Sequence, residues 1–273
     1  SVMEFKSVMD MRTAEKMLRF PLLGQRINGG WNLVLRQEFH MTNDSGLFKP
    51  QPGKGRLPLY EGKMIWQFDH LYSAPRYWVA EGEARMALLG RLQDKGQPLP
   101  YERYQVAFRS AGENTNERNL ICTVLPQRVV CGNSLILVDD FQGDNGQLLS
   151  LCATLNSFVA DYLLRLKIQR NLNLFLIYQM PIPRLDRKST YFREMVDRAC
   201  RLVCTTPEYD GLAKAVGLKS HNSGATEPAE RDRLRAELDG LNAHLYGLTE
   251  EEFAHILATF PLVPDPVKVA ARN

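Results

Sequence analysis

Histidines and acidic side chains are the groups that most often bind catalytic metal ions or transfer protons. The five histidines form no His-Glu-x-x-His or other metal-binding spacing. They are His40, His70, His221, His244 and His255. Asp139 and Asp140 are adjacent, but neighbouring side chains of a strand point to opposite faces, so this pair favours a turn or a strand end. The sequence therefore predicts neither a metal site nor a catalytic residue.

Longer catalytic motifs are also missing from the sequence. It contains no phosphate-binding glycine loop, no dinucleotide-binding glycine fingerprint and no nucleophile elbow. The nearest approach to the acid-and-lysine cluster of a metal-dependent nuclease is Asp265 with Lys268, in a proline-rich stretch. An independent nuclease has the least support from these residues, and cleavage of duplex DNA in the presence of magnesium would test it.

The composition is that of an ordinary folded protein. With 273 residues, 44% of them hydrophobic, the chain can bury one large core or two smaller ones without disulfides or a structural metal. The five cysteines form no Cys-x-x-Cys pair, which favours reduced thiols. No apolar run has the length of a signal peptide or of a membrane span. We expect a cytoplasmic protein that is not embedded in a membrane.

Positive charge is unevenly distributed along the chain. The formal net charge is +3, which neither demands nor excludes a nucleic-acid partner. Residues 1–186 contain 22 Lys and Arg against 18 Asp and Glu, whereas residues 187–273 contain 12 against 13. A site for a polyanion is therefore expected in the first of these parts.

Short strands and turns dominate the pattern between residues 21 and 145. A helix over residues 3–19 is predicted before them, and it ends at Pro21. Its apolar face would consist of Phe5, Val8, Met9 and Met17. Strands are predicted at 31–36, 63–68, 104–109, 120–125, 129–131 and 135–138. Polar, glycine-containing loops separate these strands, which indicates an irregular mixed sheet.

The clearest helical pattern of the chain covers residues 147–167, where apolar side chains recur at steps of three and four residues. We expect one long helix there, packed along one face. Leucines alternate in the next segment, 170–184, which predicts a further strand that ends at two prolines.

Helices are predicted for the remainder of the chain. Residues 191–204 and 231–246 each contain an apolar stripe at helical spacing. Gly247 stands where a helix would end, and Thr249 begins a capping box for another short helix. A flexible loop is predicted at 219–228. The whole pattern predicts an α+β fold: an irregular mixed β-sheet with a long packed helix, followed by a helical C-terminal region.

Six stretches, spread over nearly the whole chain, carry a resemblance to one known group of proteins. They are WNLVLRQEFHMTNDSGLF (31–48), LPLYEGKMIWQFDH (57–70), RYWV (76–79), TNERNLICTVLPQRVVCGNSL (115–135), LNSFVADYLLRLKIQRNLNLFLIYQMPIP (155–183) and AELDGLNAHLYGLTEEEFAHIL (236–257). These stretches are similar to the C-terminal specificity, or target recognition, region of TaqI-like adenine-N6 DNA methyltransferases and of their fused type II restriction-modification relatives.

The resemblance implies a division of labour within a longer polypeptide. An upstream catalytic domain would bind S-adenosylmethionine and transfer the methyl group, while this chain would grip double-stranded DNA and read its bases. The Asn-Pro-Pro-aromatic loop and glycine-rich turn of such a methyltransferase do not occur here, so we expect no catalysis and no cofactor in this chain. Residues 1–20 would be a connector helix, 21–186 the DNA target recognition domain and 187–273 a helical C-terminal region.

A duplex reader needs cationic side chains for phosphates, and Arg, Asn or Gln side chains that match the donors and acceptors of base edges. Candidate phosphate contacts are Lys54, Arg56, Lys63, Lys167 and Arg170. Candidate base contacts are Arg76, Arg103, Arg109, Asn116 and Arg118, with His40, Asn43 and Gln67 as weaker candidates.

These candidates also have structural alternatives. Lys54 and Arg56 lie in a Gly/Pro loop, where they would equally suit solvent, and the turn 116–118 would equally suit an internal ion pair. His40 and His70 are more typical of structural histidines. Spacing along strands favours core packing over base stacking for an aromatic group, which consists of Tyr60, Trp66, Phe68, Tyr72, Tyr77 and Trp78.

A different class of function also fits the sequence. The chain would then be an assembly module whose surface docks a separate methyltransferase or nuclease subunit and contacts DNA only indirectly. Strong salt dependence of duplex binding distinguishes the two hypotheses, because release of counterions from phosphates requires direct contact.

Overall fold

The structure, a computed structural model, describes residues 3–110, 117–167 and 174–273. Its strands are β1 Val34–Arg36, β2 Phe48–Lys49, β3 Arg56–Tyr60, β4 Tyr77–Ala80, β5 Gln105–Arg109, β6 Cys122–Leu125, β7 Val130–Cys131 and β8 Leu135–Asp139. Its helices are α1 Val8–Met17, α2 Glu81–Leu89, α3 Asn145–Leu155, α4 Phe158–Arg165, α5 Leu174–Tyr178, α6 Phe192–Val203, α7 Asp210–Ala215, α8 Pro228–Leu245, α9 Glu250–Ala258 and α10 Asp265–Arg272. The predicted α+β fold is confirmed.

The first sheet has the strand order β1-β8-β5-β6 and is antiparallel throughout. Successive side chains of a strand lie on opposite faces, and the buried side chains of β5 and β8 divide accordingly. Val106, Phe108 and Ile136 belong to the large core that includes α3 and α6. Ala107 and Leu137 belong to a smaller core on the other face. The sheet is thus buried on both sides.

The second sheet has the order β2-β4-β3-β7, in which only the β3–β7 pair is parallel. Tyr60 of β3 packs into the smaller core against the first sheet. Leu57 and Leu59 pack on the opposite face in a cluster that also contains Leu89 of α2. The molecule is therefore layered, with the C-terminal helices, the first sheet, the second sheet and α2 in succession.

The predicted long helix over 147–167 is wrong in one respect, because it is broken into α3 and α4 with a bend of 57°. Asn156 lies at the break. Its side chain accepts from the backbone N–H of Cys122 at 3.0 Å and donates to the carbonyl of the same residue at 2.9 Å. Ser157 then caps α4 through the N–H of Ala160. These contacts join the helix pair to the edge strand β6.

Two predicted strands are also wrong. Residues 63–68 form a 3₁₀ turn and an irregular loop in which Phe68 has a left-handed φ of 59°. The segment 174–178 is the short helix α5, whose Leu176 and Ile177 are buried side by side in the large core. Adjacent buried residues suit a helix, because a strand would place them on opposite faces. Strand 31–36 is shorter than predicted.

The N-terminal helix exists, but its predicted face is only partly correct. Met17 is buried, whereas Phe5 and Val8 are exposed. The buried face instead contains Asp10, which accepts hydrogen bonds from Tyr162 Oη at 2.6 Å and shares one of 2.7 Å with His255 Nε2. These bonds hold the pKa of Asp10 well below its usual range, although burial acts in the opposite direction. Polar contacts therefore decide how α1 is rotated.

Pro58 explains why the sequence does not predict β3 of the second sheet, since proline is unusual inside a sheet. β7 pairs only with Leu59 and Tyr60 of β3. Among the described residues, β3 is therefore paired with β4 alone at the position of Pro58. The helices α2, α7 and α10 also lack a clear sequence pattern. Predicted helices that do form are α6, α8 and α9, and Gly247 ends α8 with the left-handed φ of 68°.

Helices from both sides of the predicted domain boundary at residue 186 pack into one core, because α3 lies against α6 and α8. The boundary itself stays a prediction. Within the described ranges, no single helix has the length and apolar character needed to cross a membrane, and the bent pair α3–α4 meets that criterion only when taken together.

Candidate nucleic-acid interface

A tight turn after β3 organises one end of the two sheets. Gly62 donates its N–H to Ser134 Oγ at 2.9 Å, and a Cβ at this position would lie 2.9 Å from the Ser134 carbonyl oxygen. Only glycine allows this approach of the two backbones. Lys63 follows at the surface with its side chain exposed, and its carbonyl accepts from Ser73 Oγ. Lys63 is therefore exposed on a turn whose backbone packs closely against Ser134.

Arg109, the last residue of β5, lies beside this turn. Its Nε and Nη2 donate to the Ile65 carbonyl at 3.1 and 2.6 Å, and its Cζ lies 5.0 Å from the centroid of the Trp66 ring. Among the described residues, none accepts a hydrogen bond from Nη1 and no acid pairs with this arginine. Partial burial lowers the pKa of Arg109, but a guanidinium stays protonated at neutral pH. Arg109 is thus a cation of fixed orientation, and its Nη1 has no acceptor in the part of the chain that the structure describes.

Trp66 connects this arginine to an exposed aromatic ring. The Trp66 and Tyr72 rings are stacked, with centroids 5.6 Å apart and an interplanar angle of 28°. Tyr72 is 60% exposed. Arg109, Trp66 and Tyr72 thus form a continuous stack from β5 to the surface.

Arg76 lies on the other side of the turn and is paired with an acid. Its Nε and Nη2 donate to the two carboxylate oxygens of Glu61, each at 2.7 Å, and its Cζ lies 4.9 Å from the Tyr77 ring centroid. The hydrogen bond to Glu61 raises the pKa of Arg76. Because Glu61 neutralises its charge, Arg76 adds less to the attraction of a polyanion than Lys63 does.

We refer to Lys63, Trp66, Tyr72, Arg76 and Arg109 as the basic–aromatic end. The structure brings together here three residues that the sequence predicts as DNA contacts, namely Lys63, Arg76 and Arg109. The two aromatic residues are additions, since the sequence favoured core packing for them. That expectation holds for Tyr60 and Phe68, which are buried, but not for Tyr72. The polar residues near Tyr72 in the sequence could have indicated that its ring is exposed.

Lys54 and Arg56 lie at the opposite end of β3. Strand residues advance by about 3.3 Å, so the length of β3 places them roughly 15–20 Å from Lys63. Lys54 is exposed in the turn, while Arg56 donates to the Gln51 carbonyl at 2.8 Å. Both remain accessible, outside the basic–aromatic end.

Arg103 lies beyond the opposite end of β5 from Arg109, in acidic surroundings. It lines a cleft of about 290 Å³ together with Asp139, Asp140 and Asp144. Asp140 has a left-handed φ of 36° at the end of β8, in agreement with the predicted turn. Two of the three acids pair with arginines from other elements. These pairs leave this acidic end with little net positive charge to attract a phosphate backbone.

Arg118 and Gln67 are interior residues, which corrects their prediction as DNA contacts. Arg118 is 6% exposed and donates to Asp161 at 2.9 Å and to the Asn156 carbonyl. Its guanidinium carbon lies 4.1 Å from the ring centroid of Phe158. Gln67 also donates to the Asn156 carbonyl, at 3.0 Å. Arg118 therefore has a structural role, as the alternative for the turn 116–118 predicted, but it pairs with Asp161 of α4 and not with an acid of the turn.

Other predicted contacts lie elsewhere or have local roles. Lys167 is half-buried, donates to the Gln179 carbonyl at 2.8 Å, and has its pKa lowered by desolvation. His70 is buried between aromatic rings, and His40 accepts two backbone N–H groups of its own turn, one of them from Asn43. Asn116 and Arg170 lie outside the described residues.

Among the described residues, no three His, Cys, Asp or Glu side chains lie close enough together to bind a metal ion. All five cysteines are buried and free.

No family model and no curated protein matches this chain. Solved structures that are similar to it include the following two. The Type IIL restriction-modification enzyme MmeI in complex with DNA aligns with 88% of this chain and 36% of its own, at 10% sequence identity and a TM-score of 0.50. The HsdS subunit from Thermoanaerobacter tengcongensis aligns with 88% of this chain and 51% of its own, at 16% identity and a TM-score of 0.32, too distant to support an inference.

The likeness to MmeI shows a fold shared with part of a restriction-modification enzyme. This chain spans about a third of the length of that enzyme.

Proposed function

We propose that this chain reads the sequence of double-stranded DNA for a restriction-modification system. The observation that carries the proposal is the basic–aromatic end, where Lys63 on a closely packed turn and Arg109 at the adjoining end of β5 present positive charge. The fold shared with part of a restriction-modification enzyme supports it, as does the sequence resemblance to target recognition regions.

The geometry suits two kinds of DNA contact. Lys63 is a flexible point charge at the surface, which matches a phosphate. Arg109 has its plane fixed by the Ile65 carbonyl and the Trp66 ring, and no described residue accepts from its Nη1. This matches an acceptor on a base edge, above all on guanine. Phosphate contacts position a protein on the duplex, and base contacts specify the sequence. Lys63 would therefore anchor the chain, and Arg109 would read one base pair.

The finer assignment is an adenine-N6 DNA methyltransferase, with or without endonuclease activity, that acts in phage defence in the cytoplasm. In this proposal a separate catalytic domain of the same polypeptide binds S-adenosylmethionine and modifies an adenine swung out of the duplex. The present chain contributes no catalysis and holds no cofactor. Its role is to fix the register of the enzyme on the site.

Salt-dependent duplex binding by the purified chain tests the proposal. The affinity for a 30-base-pair duplex should fall steeply between about 50 and 200 mM salt, since each neutralised phosphate releases counterions. Selection from a random duplex library should then enrich a defined site. Binding that is indifferent to salt, or a library that stays random, would contradict DNA reading by this chain.

One observation favours the second candidate, a protein-docking module. Val8 and Met11 of helix α1 are exposed apolar side chains, as are Phe5 before the helix and Leu18 after it. Exposed apolar patches commonly mark protein contacts. Replacing Val8 and Met11 by Ser should weaken assembly with a catalytic partner under that hypothesis and leave duplex binding by the isolated chain unchanged.

A further inference from the structure

The loop between residues 65 and 72 exposes two apolar side chains at one place. Leu71 is 52% exposed and Tyr72 60% exposed, whereas Phe68 and His70 of the same loop are buried. We call Leu71 and Tyr72 the apolar tip. Large apolar side chains in solvent beside the cations Lys63 and Arg109 call for a function, because their burial would be favourable.

The inner part of the loop is fixed to the protein core. Phe68 donates its N–H to the Cys122 carbonyl at 3.0 Å, and Gln67 donates to the Asn156 carbonyl at 3.0 Å. Trp66 and Asp69 exchange two backbone hydrogen bonds of 2.8 and 3.1 Å. These bonds reach β6 and the break between α3 and α4, so the base of the loop is anchored to both layers beneath it.

The apolar tip is held in place by its own contacts. The N–H of Leu71 donates to Asp69 Oδ1 at 2.9 Å, and that of Tyr72 donates to the Met64 carbonyl at 3.0 Å. The Tyr72 ring stacks on Trp66, which in turn lies beneath Arg109. A tip that is already ordered loses little conformational entropy when it is buried.

We propose that the apolar tip inserts at an unstacked base step of bound duplex DNA. This inference rests on the proposed function. Apolar side chains that enter a duplex do so between base pairs, whose faces are the apolar surface that DNA offers. Lys63, beside the tip, matches a phosphate next to such a step, and Arg109 matches the edge of a neighbouring base. The occupant of the surface is thus a nucleobase pair that has lost a stacking neighbour.

The proposal predicts a preference for duplexes that are easily unstacked, because a mismatched pair opens at a smaller cost. Two probes suffice: a fully paired 30-base-pair duplex, and the same duplex with one central T·T mismatch. The wild-type chain should bind the mismatched probe about tenfold more tightly, the scale expected for one aromatic stacking contact. Tyr72→Ala should reduce this ratio to near one, and Tyr72→Phe, which keeps the ring, should retain it.

The matched controls lie in the same chain. Leu92→Ala removes an exposed apolar side chain outside the loop and should preserve the ratio. Lys63→Ala should weaken both probes by the same factor, since a phosphate contact is common to them. A wild-type ratio of one, or a Tyr72→Ala variant that keeps the preference, would overturn the insertion while leaving DNA reading intact. Failure to bind either probe in a salt-dependent manner would instead contradict the proposed function, and the insertion with it.

Discussion

Arg109 and Arg118 lie on either side of the segment that joins β5 to β6, and both are predicted base contacts. Each guanidinium donates to a backbone carbonyl and lies over an aromatic ring. Arg118 also donates to the buried carboxylate of Asp161 at 2.9 Å and is almost completely enclosed. Arg109 lacks an acidic partner within the part of the chain that the structure describes. The two arginines therefore have similar carbonyl and ring contacts, but only Arg118 has its charge neutralised by a described acid.

The difference teaches that the partner of an arginine, more than its setting in the sequence, decides its role. A buried cation needs a nearby anion to offset the loss of hydration, and Asp161 provides it for Arg118. Such an arginine has no charge to offer a ligand. Arg109 stays near water, keeps its charge, and has only its orientation fixed by the protein.

Arg118→Ala tests this contrast with the largest expected effect. Among the described residues, it leaves the buried Asp161 with the Asn119 N–H at 2.9 Å and with Arg165, 3.5 Å away, as the remaining cation. The free energy of unfolding should fall by about 3–5 kcal/mol. Urea denaturation followed by tryptophan fluorescence measures it. The double variant Arg118→Met, Asp161→Leu should recover most of the loss, since replacing both partners by apolar groups is often neutral. A loss below about 1 kcal/mol would remove the distinction between the two arginines.

The pH dependence of stability sharpens the description of the Arg118 region. Burial raises the pKa of Asp239 there to about 6, although nearby Arg118 acts in the opposite direction. The folded state then holds its proton more tightly than the unfolded chain, whose aspartates titrate near 4. Stability should fall as the pH rises from about 4 to 6 and stay lower above that range.

Asp239→Asn should remove this dependence, because the amide still accepts from the Phe158 N–H, 2.9 Å from Asp239 Oδ1, but carries no charge. We expect a gain of up to about 3 kcal/mol over the wild type above pH 7 and no difference below pH 4. Unfolding free energies at intervals of one pH unit check this. Parallel curves for the two proteins would show that Asp239 is ionised at little cost.

The DNA contacts of the Arg109 region should have smaller effects. Arg109→Ala should cost about 1–3 kcal/mol for the selected site and relax the preference at one base pair. Lys63→Ala should weaken all duplexes alike and reduce the salt slope by about one. Fluorescence anisotropy with single-base variants of the selected site separates the two. Uniform losses for both variants would assign Arg109 to the phosphates as well.

Arg103→Ala provides the smallest expected effect. Arg103 is exposed at the acidic end, among Asp139, Asp140 and Asp144. Its removal should change stability by no more than about 0.5 kcal/mol. Duplex affinity should also be unchanged, because the nearby acids offset the charge of Arg103. A loss of affinity comparable to that of Lys63→Ala would place the duplex at this end of the sheet.

Much of the fold follows from local pattern. The strands β5, β6 and β8 and the helices α6, α8 and α9 are visible in the sequence, because each has a clear hydrophobic period or a cap such as that of Thr249. The break at Asn156 is not visible, since it depends on hydrogen bonds to a distant strand edge. The rotation of α1 is decided in the same way, by the bonds of Asp10 to Tyr162 and His255.

The sequence by itself determined the α+β class, the strand-rich part that carries the surplus of positive charge, and Lys63, Arg76 and Arg109 as cations on turns and strand ends. Only the tertiary structure decided which cations meet. It placed Arg118 beside Asp161 in the interior and stacked Tyr72 on Trp66 at the surface. The physical reason is that local pattern reports burial and spacing, whereas ion pairs and ring stacks join residues that only the folded chain brings together.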